Sequence, residues 1–147
     1  MRVVIQRVKE ASVTVDNQVV GQIRKGALVL LGVHKNDIPE NTQWLVQKLS
    51  TLRFFSDAQG KMNLSLQDIQ GEVLIVSQFT LYGNCHEGRR PGFVDAAPGP
   101  LAKMLYEKFV EEAKQMFKNV QTGIFGADMQ VSLINDGPVT FMIDYPF

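Results

Sequence analysis

The sequence is short of the residue types that most often carry recognisable chemistry. Cys85 is its only cysteine, and His34 and His86 are its only histidines. An intrachain disulfide is therefore impossible, and a zinc site built solely from the Cys and His of one chain is excluded. Neither an EF-hand loop nor an HExxH spacing occurs, so no metal and no other cofactor is expected. Long apolar runs are missing too. The longest, Ala27 to Val33, is the size of a strand, and Arg2, Arg7, Lys9 and Glu10 break any signal-peptide core. No membrane span is expected, and a cytoplasmic location follows. Net charge is also absent, because 15 Lys and Arg balance 15 Asp and Glu. Neutrality leaves room for a local basic patch but not for the broadly basic surface that tight RNA binders usually show.

What remains is an ordinary globular composition, 45% hydrophobic and 20% charged. Its 147 residues predict one domain, 1–147. A chain of this size removes roughly 70% of its unfolded surface from water, enough for a core without staples. Val3 to Val8 is β-branched, Ala11 to Val15 alternates towards a turn at Asp16-Asn17, and Val19 to Ile23 returns. The unbroken apolar stretch after Gly26 predicts a central strand buried on both faces. Asp37-Ile38-Pro39-Glu40 reads as a helix start, with Asp37 as cap and Glu40 three residues on. Trp44, Leu45, Leu49 and Leu52 then fall near one face.

LRFFSD reads as a strand ending in a turn at Ala58-Gln59-Gly60, and Val73 to Val76 as a second buried strand. Ala97-Pro98-Gly99-Pro100 opens the longest helix, with Leu101, Leu105, Phe109 and Ala113 at four-residue steps and Met104, Met116 and Phe117 read as core. Three strands close the chain: Val120 to Phe125, Gln130 to Ile134 and Val139 to Ile143. Regular βα alternation is missing, which argues against a doubly wound sheet. The expected class is α+β: a curved, largely antiparallel sheet with two main helices packed on it.

Three segments offer chemistry. Ser77-Gln78-Phe79-Thr80 ends a buried strand, where backbone leaving a sheet presents amides and hydroxyls. Ser77 or Thr80 as nucleophile needs an adjacent base, and neither histidine has a spacing that supplies one. The plainer reading is hydroxyls satisfying local backbone. Asn135-Asp136-Gly137-Pro138 has the composition of a turn between strands, and on sequence alone a trans Gly–Pro bond. The sharper reading is that Gly137 and Pro138 present carbonyls to a site. Arg89 and Arg90, between Gly88 and Pro91-Gly92-Phe93, can hold phosphate bidentately or form a solvated loop. Cys85-His86 is not a catalytic pair, since neighbours in extended chain point to opposite faces.

Taken in order, SQFTLYG (Ser77–Gly83), GRRPGF (Gly88–Phe93), FGADM (Phe125–Met129) and NDGPVT (Asn135–Thr140) resemble the bacterial D-aminoacyl-tRNA deacylase family. MRVVIQRV at the start, GKMNLSL from Gly60 and PGPLAKMLYEKFV from Pro98 are similar to it too, so the likeness spans the chain. The resemblance implies a compact barrel-like β fold with helices outside, and a homodimer. It implies hydrolysis of the ester of D-aminoacyl-tRNA, and of glycyl-tRNA mischarged on tRNA-Ala, with no cofactor.

By the same resemblance the backbone amides of Phe79 and Thr80 stabilise the oxyanion, with Ser77 and Gln78 in the same segment, and an RNA ribose hydroxyl assists. Thr80 as a covalent nucleophile is the second choice. Gly137 and Pro138, joined by a cis bond, enter the partner subunit's site and exclude L-residues, with Arg7 orienting them. Arg7, Phe125, Gly126, Ala127, Met129 and Asn135 are expected at the substrate, and Arg89 and Arg90 on the RNA. The competing readings are a small-molecule esterase or thioesterase using Thr80 or Ser77, and a non-catalytic RNA-binding dimer.

Overall fold

The computed structural model describes residues 1–146. Along the chain run β1 (Arg2–Val15), β2 (Gln18–Ile23), β3 (Gly26–Gly32), α1 (Pro39–Thr51), β4 (Arg53–Ser56), β5 (Met62–Ser65), β6 (Glu72–Ser77), α2 (Gly99–Met116), β7 (Val120–Thr122) and β8 (Gln130–Asp144). The two strands expected before Asp16 are one, 14 residues long. The first half of β1 pairs antiparallel with β3, its second half with β2, and β8 runs antiparallel along nearly all of it. At the hairpin between β1 and β2, Asp16 and Asn17 take φ of 49° and 62°, the left-handed pair of a type I′ turn, as their composition predicts.

The sheet continues from β3 to β6 to β7, and both of these pairings are parallel. They follow from the connections: parallel neighbours need a long crossover, and α1 with the β4–β5 hairpin supplies the first, α2 the second. The rest of the sheet is antiparallel, as expected. The far edges then approach each other and the sheet becomes a nearly closed barrel. Gly21 on β2 is required there, because a Cβ at that position would lie 2.3 Å from the Thr122 carbonyl oxygen on β7.

Strands buried on both faces divide the apolar residues into two bodies. Val8, Ala11, Val13, Ile23, Leu28, Leu74 and Val76 fill the barrel interior. On the other face Val3, Ile5, Val29, Leu31, Val73 and Ile75 pack with Leu45 and Leu49 of α1 and Leu105 and Phe109 of α2. The alternation of β3 and β6 thus feeds both bodies, the reason their sequences are continuously apolar. The β4–β5 hairpin forms a separate two-stranded sheet, whose second strand the sequence reading did not assign. Its Phe54 and Phe55 belong to the helix-side core. Phe117 is buried and Met116 packs against the core as expected, but Met104 is half-exposed on the outer face of α2.

Asp37 does not cap α1. Its carboxylate is buried and accepts from the α-ammonium of Met1 at 2.6 Å and from the His34 N–H at 2.6 Å. A charged donor makes the stronger bond, so the carboxylate turns away from the helix. The cap position passes to Ile38, whose N–H donates to Asn41 Oδ1 at 2.9 Å, with Pro39 in the first turn as expected. Removing one member of a buried pair strands the other, so Asp37→Ala is expected to cost about 3 kcal/mol or more in urea unfolding.

Candidate active site

Just past the end of β6, the Gln78 N–H makes a last ladder bond, donating to the Leu31 carbonyl at 2.8 Å. The chain then turns into a short 3₁₀ segment, Phe79–Tyr82. Helical segments leave their first amides unpaired. Among the described residues, neither the Phe79 nor the Thr80 N–H meets an acceptor, whereas the next, Leu81, donates to the Gln78 carbonyl at 3.2 Å. The Gln78 side-chain amide donates to the Thr80 hydroxyl oxygen and braces the turn.

Beside this turn lies a cleft of about 540 Å³. Ser77, Gln78 and Phe79 form one side, and the loop carrying Phe125, Gly126, Ala127 and Met129 forms another. Leu31 and Val33 contribute from β3 and its end, Ala102 and Tyr106 from α2. Seven of the sequence-predicted residues therefore line one cavity. The strand expected over Val120 to Phe125 stops at Thr122, which frees the following residues to form that loop. Phe79 is 55% exposed and its ring lies 4.9 Å from that of Phe93, at the foot of the arginine loop.

Tyr106 was missed by sequence reading. It sits four residues after Ala102, inside the apolar stripe of α2, and a phenol in such a stripe is the available signal. Its hydroxyl donates to the Ile75 carbonyl at 3.0 Å and its ring lies 5.6 Å from Phe125. Burial pushes this phenol up to about 12, so it remains neutral at ordinary pH. It ties α2 to β6 where both border the cleft.

Among the described residues no nucleophile–base pair is assembled. His34 Nδ1 accepts from the Asn36 N–H at 3.1 Å and its ring packs against Tyr82, while His86 lies exposed in the loop. Among the described residues, no carboxylate or imidazole is hydrogen-bonded to the Ser77 or Thr80 hydroxyl. That loop is closed at its base by two bonds between Asn84 and Gly92, of 2.7 and 2.9 Å, and leaves Arg89 and Arg90 exposed.

Asn135-Asp136-Gly137-Pro138 does not reverse the chain. Both strands expected around it belong to β8, and the motif is a bulge within it. Between the pairs Gln6–Thr140 and Val8–Asn135, β1 advances two residues while β8 covers five. The surplus pushes Gly137 and Pro138 out, both exposed and joined by a cis bond. The Asn135 amide spans the neck, donating to the Arg7 and Val139 carbonyls at 2.9 and 3.0 Å. From beneath, buried Arg7 donates to the Asp136 carbonyl at 2.9 Å and to the Phe54 carbonyl at 2.8 Å. Gly137 has φ of 128°, and a Cβ there would lie 2.5 Å from the Arg7 guanidinium. Arg7, Asn135, Gly137 and Pro138 thus form a group of their own, outside the lining of this chain's cleft.

A concave, mostly apolar cleft with a few convergent polar groups is the usual form of a substrate site. Comparison with known proteins supplies the family. The family model described as D-Tyr-tRNA(Tyr) deacylase matches residues 4–144. A D-aminoacyl-tRNA deacylase of Thermosipho africanus (strain TCF52B) is 58% identical over 144 residues, 98% of this chain and 97% of that protein. Another from Geotalea uraniireducens (strain Rf4) is 58% identical over 146 residues, 99% of this chain and 94% of that one.

Among solved structures, a c-Myc DNA Unwinding Element Binding Protein aligns with a TM-score of 0.94 at 39% identity, covering 100% of both chains. A probable eukaryotic D-amino acid tRNA deacylase aligns at 0.84 with 19% identity over 97% of each, a likeness of fold. The chain belongs to the D-Tyr-tRNA(Tyr) deacylase family. No helix among the described residues is long and apolar enough to cross a membrane.

The raised Tyr106 pKa has a consequence for stability. Below about 10 the phenol is protonated in both folded and unfolded chains and its contribution is complete; between about 10 and about 12 only the unfolded chain ionises, so stability falls as pH rises. Urea unfolding across that window should lose stability less steeply in Tyr106→Phe than in the wild type.

Proposed function

We propose that this chain hydrolyses the ester of D-aminoacyl-tRNA, releasing the free D-amino acid and intact tRNA as a quality-control step in translation. The observation that carries the reading is a pair of unpaired amides, one on Phe79, which lines the cleft, and one on Thr80, the next residue of the same turn. Attack on an ester carbonyl puts negative charge on its oxygen, and fixed donors aimed there stabilise that charge without reorganising. With no side-chain base against Ser77 or Thr80, water is the nucleophile and the ribose oxygen leaves, assisted by a ribose hydroxyl of the substrate. Thr80 supplies its amide rather than its hydroxyl.

The selector is the bulge. In a homodimer, Gly137 and Pro138 of one subunit enter the other's cleft, where their carbonyls occupy the side on which an L-side chain would stand. A D-side chain points away, and glycine has none, so mischarged glycyl-tRNA is also accepted. This is specificity by exclusion. Exposure of the bulge, its rigid support by Arg7 and Asn135, and its separation from its own cleft favour this arrangement. Phe125, Gly126, Ala127 and Met129 hold the terminal adenosine end, while Arg89 and Arg90 meet phosphate. A tRNA substrate is met in the cytoplasm.

One observation favours a second reading, a nucleic-acid-binding dimer without catalysis: the similar structure at 39% identity is named for binding a DNA element.

Matched D-tyrosyl-tRNA and L-tyrosyl-tRNA separate these readings. The expected outcome is rapid release of the D-amino acid with the L-ester spared; equal release removes the selector, and no release of either favours the binding protein. Thr80→Ala should retain turnover within about tenfold, whereas Phe79→Pro, which deletes one donor, should lose about 100-fold or more. Gly137→Val should also be inactive. Mixing the Phe79→Pro and Gly137→Val proteins under subunit exchange should restore about a quarter of wild-type activity, since half the dimers then hold one intact site of two. No restoration would place the bulge's action within its own subunit.

A further inference from the structure

We propose that Arg2, held by Asp144, is a positioning residue for the two oxyanion donors; this rests on the assignment of that role to the Phe79 and Thr80 amides. Arg2 opens β1 and Asp144 closes β8, and the two are cross-strand partners. The guanidinium grips the carboxylate with two nitrogens, Nε to Oδ1 at 2.6 Å and Nη2 to Oδ2 at 3.2 Å. Its third nitrogen, Nη1, donates to the Leu81 carbonyl at 2.8 Å, and the same plane lies 5.1 Å over the Tyr82 ring. One planar group therefore fixes the last two residues of the 3₁₀ turn whose first two carry the free amides.

The turn needs such a tether. None of its residues is buried, Phe79 and Thr80 are exposed, and it is only four residues long. A half-exposed ion pair adds little to folding stability, since solvent screens it. Displacing catalytic groups by about 1 Å, in contrast, can cost about 100-fold in rate. The weight of this contact thus falls on donor geometry rather than on the fold. A guanidinium can serve the carboxylate and the carbonyl at once because its donors are spread in a rigid fork; an ammonium is a point charge without that geometry.

The test uses full-length Arg2→Met, Arg2→Lys and Asp144→Asn, assayed on D-tyrosyl-tRNA beside the wild type. Arg2→Met is expected to lower kcat by about tenfold or more at a KM within twofold, with little change in Tm, because donors act on the transition state and not on binding. Arg2→Lys should recover only part of that loss, and added methylguanidinium should raise the kcat of Arg2→Met. Asp144→Asn should resemble a milder Arg2→Met, and the double variant should fall no further than the worse single one.

Three results overturn the proposal. One is wild-type kcat in all variants. Another is a raised KM with kcat intact, which makes Arg2 an RNA contact. The last is a kcat loss that merely tracks loss of Tm across the set, which reduces the pair to a scaffold contact; Asp144→Asn answers this even if Arg2→Met fails to fold. A wild type that releases no D-tyrosine while folded is a different outcome, and sinks the deacylase reading itself.

Discussion

Strand β1 must serve two cores in succession, and the fold depends on how it changes faces. Val3 and Ile5 point to the helices, whereas Val8, Ala11 and Val13 point into the barrel. Strict alternation cannot link Val8 to Ala11, three residues apart. The register slips by one residue against β8 between Val8 and Glu10, and that bulge absorbs the odd step. Just before it, Arg7 is still on the helix side, buried among apolar neighbours. A guanidinium there must be paired, and its partners are a carbonyl of the β4–β5 hairpin and, on the β8 bulge, the Asp136 carbonyl with the Asp136 carboxylate 3.7 Å away. One irregular stretch thus joins barrel, hairpin and the exposed Gly–Pro pair.

Much of this was legible in the residues. The buried strands after Gly26 and before Ser77, the hairpin at Asp16-Asn17 and both helices follow from apolar runs, turn chemistry and four-residue steps. What escaped depended on contacts distant in sequence. Asn135-Asp136-Gly137-Pro138 has a turn's composition, and only its pairing across to Gln6 and Val8 makes it a bulge in an unbroken strand. Asp37 has a cap's composition, and only the arrival of Met1 draws it elsewhere. Tyr106 has a core residue's spacing, and its place at the cleft depends on a carbonyl 31 residues away. Local chemistry names what a segment can do; pairing elsewhere in the chain selects which possibility is used.

The site shows the same division. The motifs brought Ser77 to Phe79 and Phe125 to Met129 to one cavity, because the end of β6 and the loop after β7 emerge from parallel neighbours at the same edge of the sheet. Binding residues gather on loops that a rigid scaffold positions in this way. A sequence cannot reveal which amides are left without acceptors, since that depends on where a strand stops and a turn begins. The proposed chemistry draws mainly on main-chain groups, consistent with a chain so poor in histidine and cysteine.

The proposed filter, made of backbone, has an unusual relation to inheritance. The carbonyls of Gly137 and Pro138 belong to atoms that every amino acid possesses, so codon changes cannot replace them one by one. Variation reaches them only through the residues that aim them: Arg7 from below, Asn135 across the neck, and Gly137 through the space its missing side chain leaves. Selectivity of this kind does not drift gradually towards a new preference as a side-chain pocket does. On the proposed reading it persists while the support persists and fails abruptly with it, so that the handedness of the substrate is a fixed property of the fold rather than an adjustable trait of its surface.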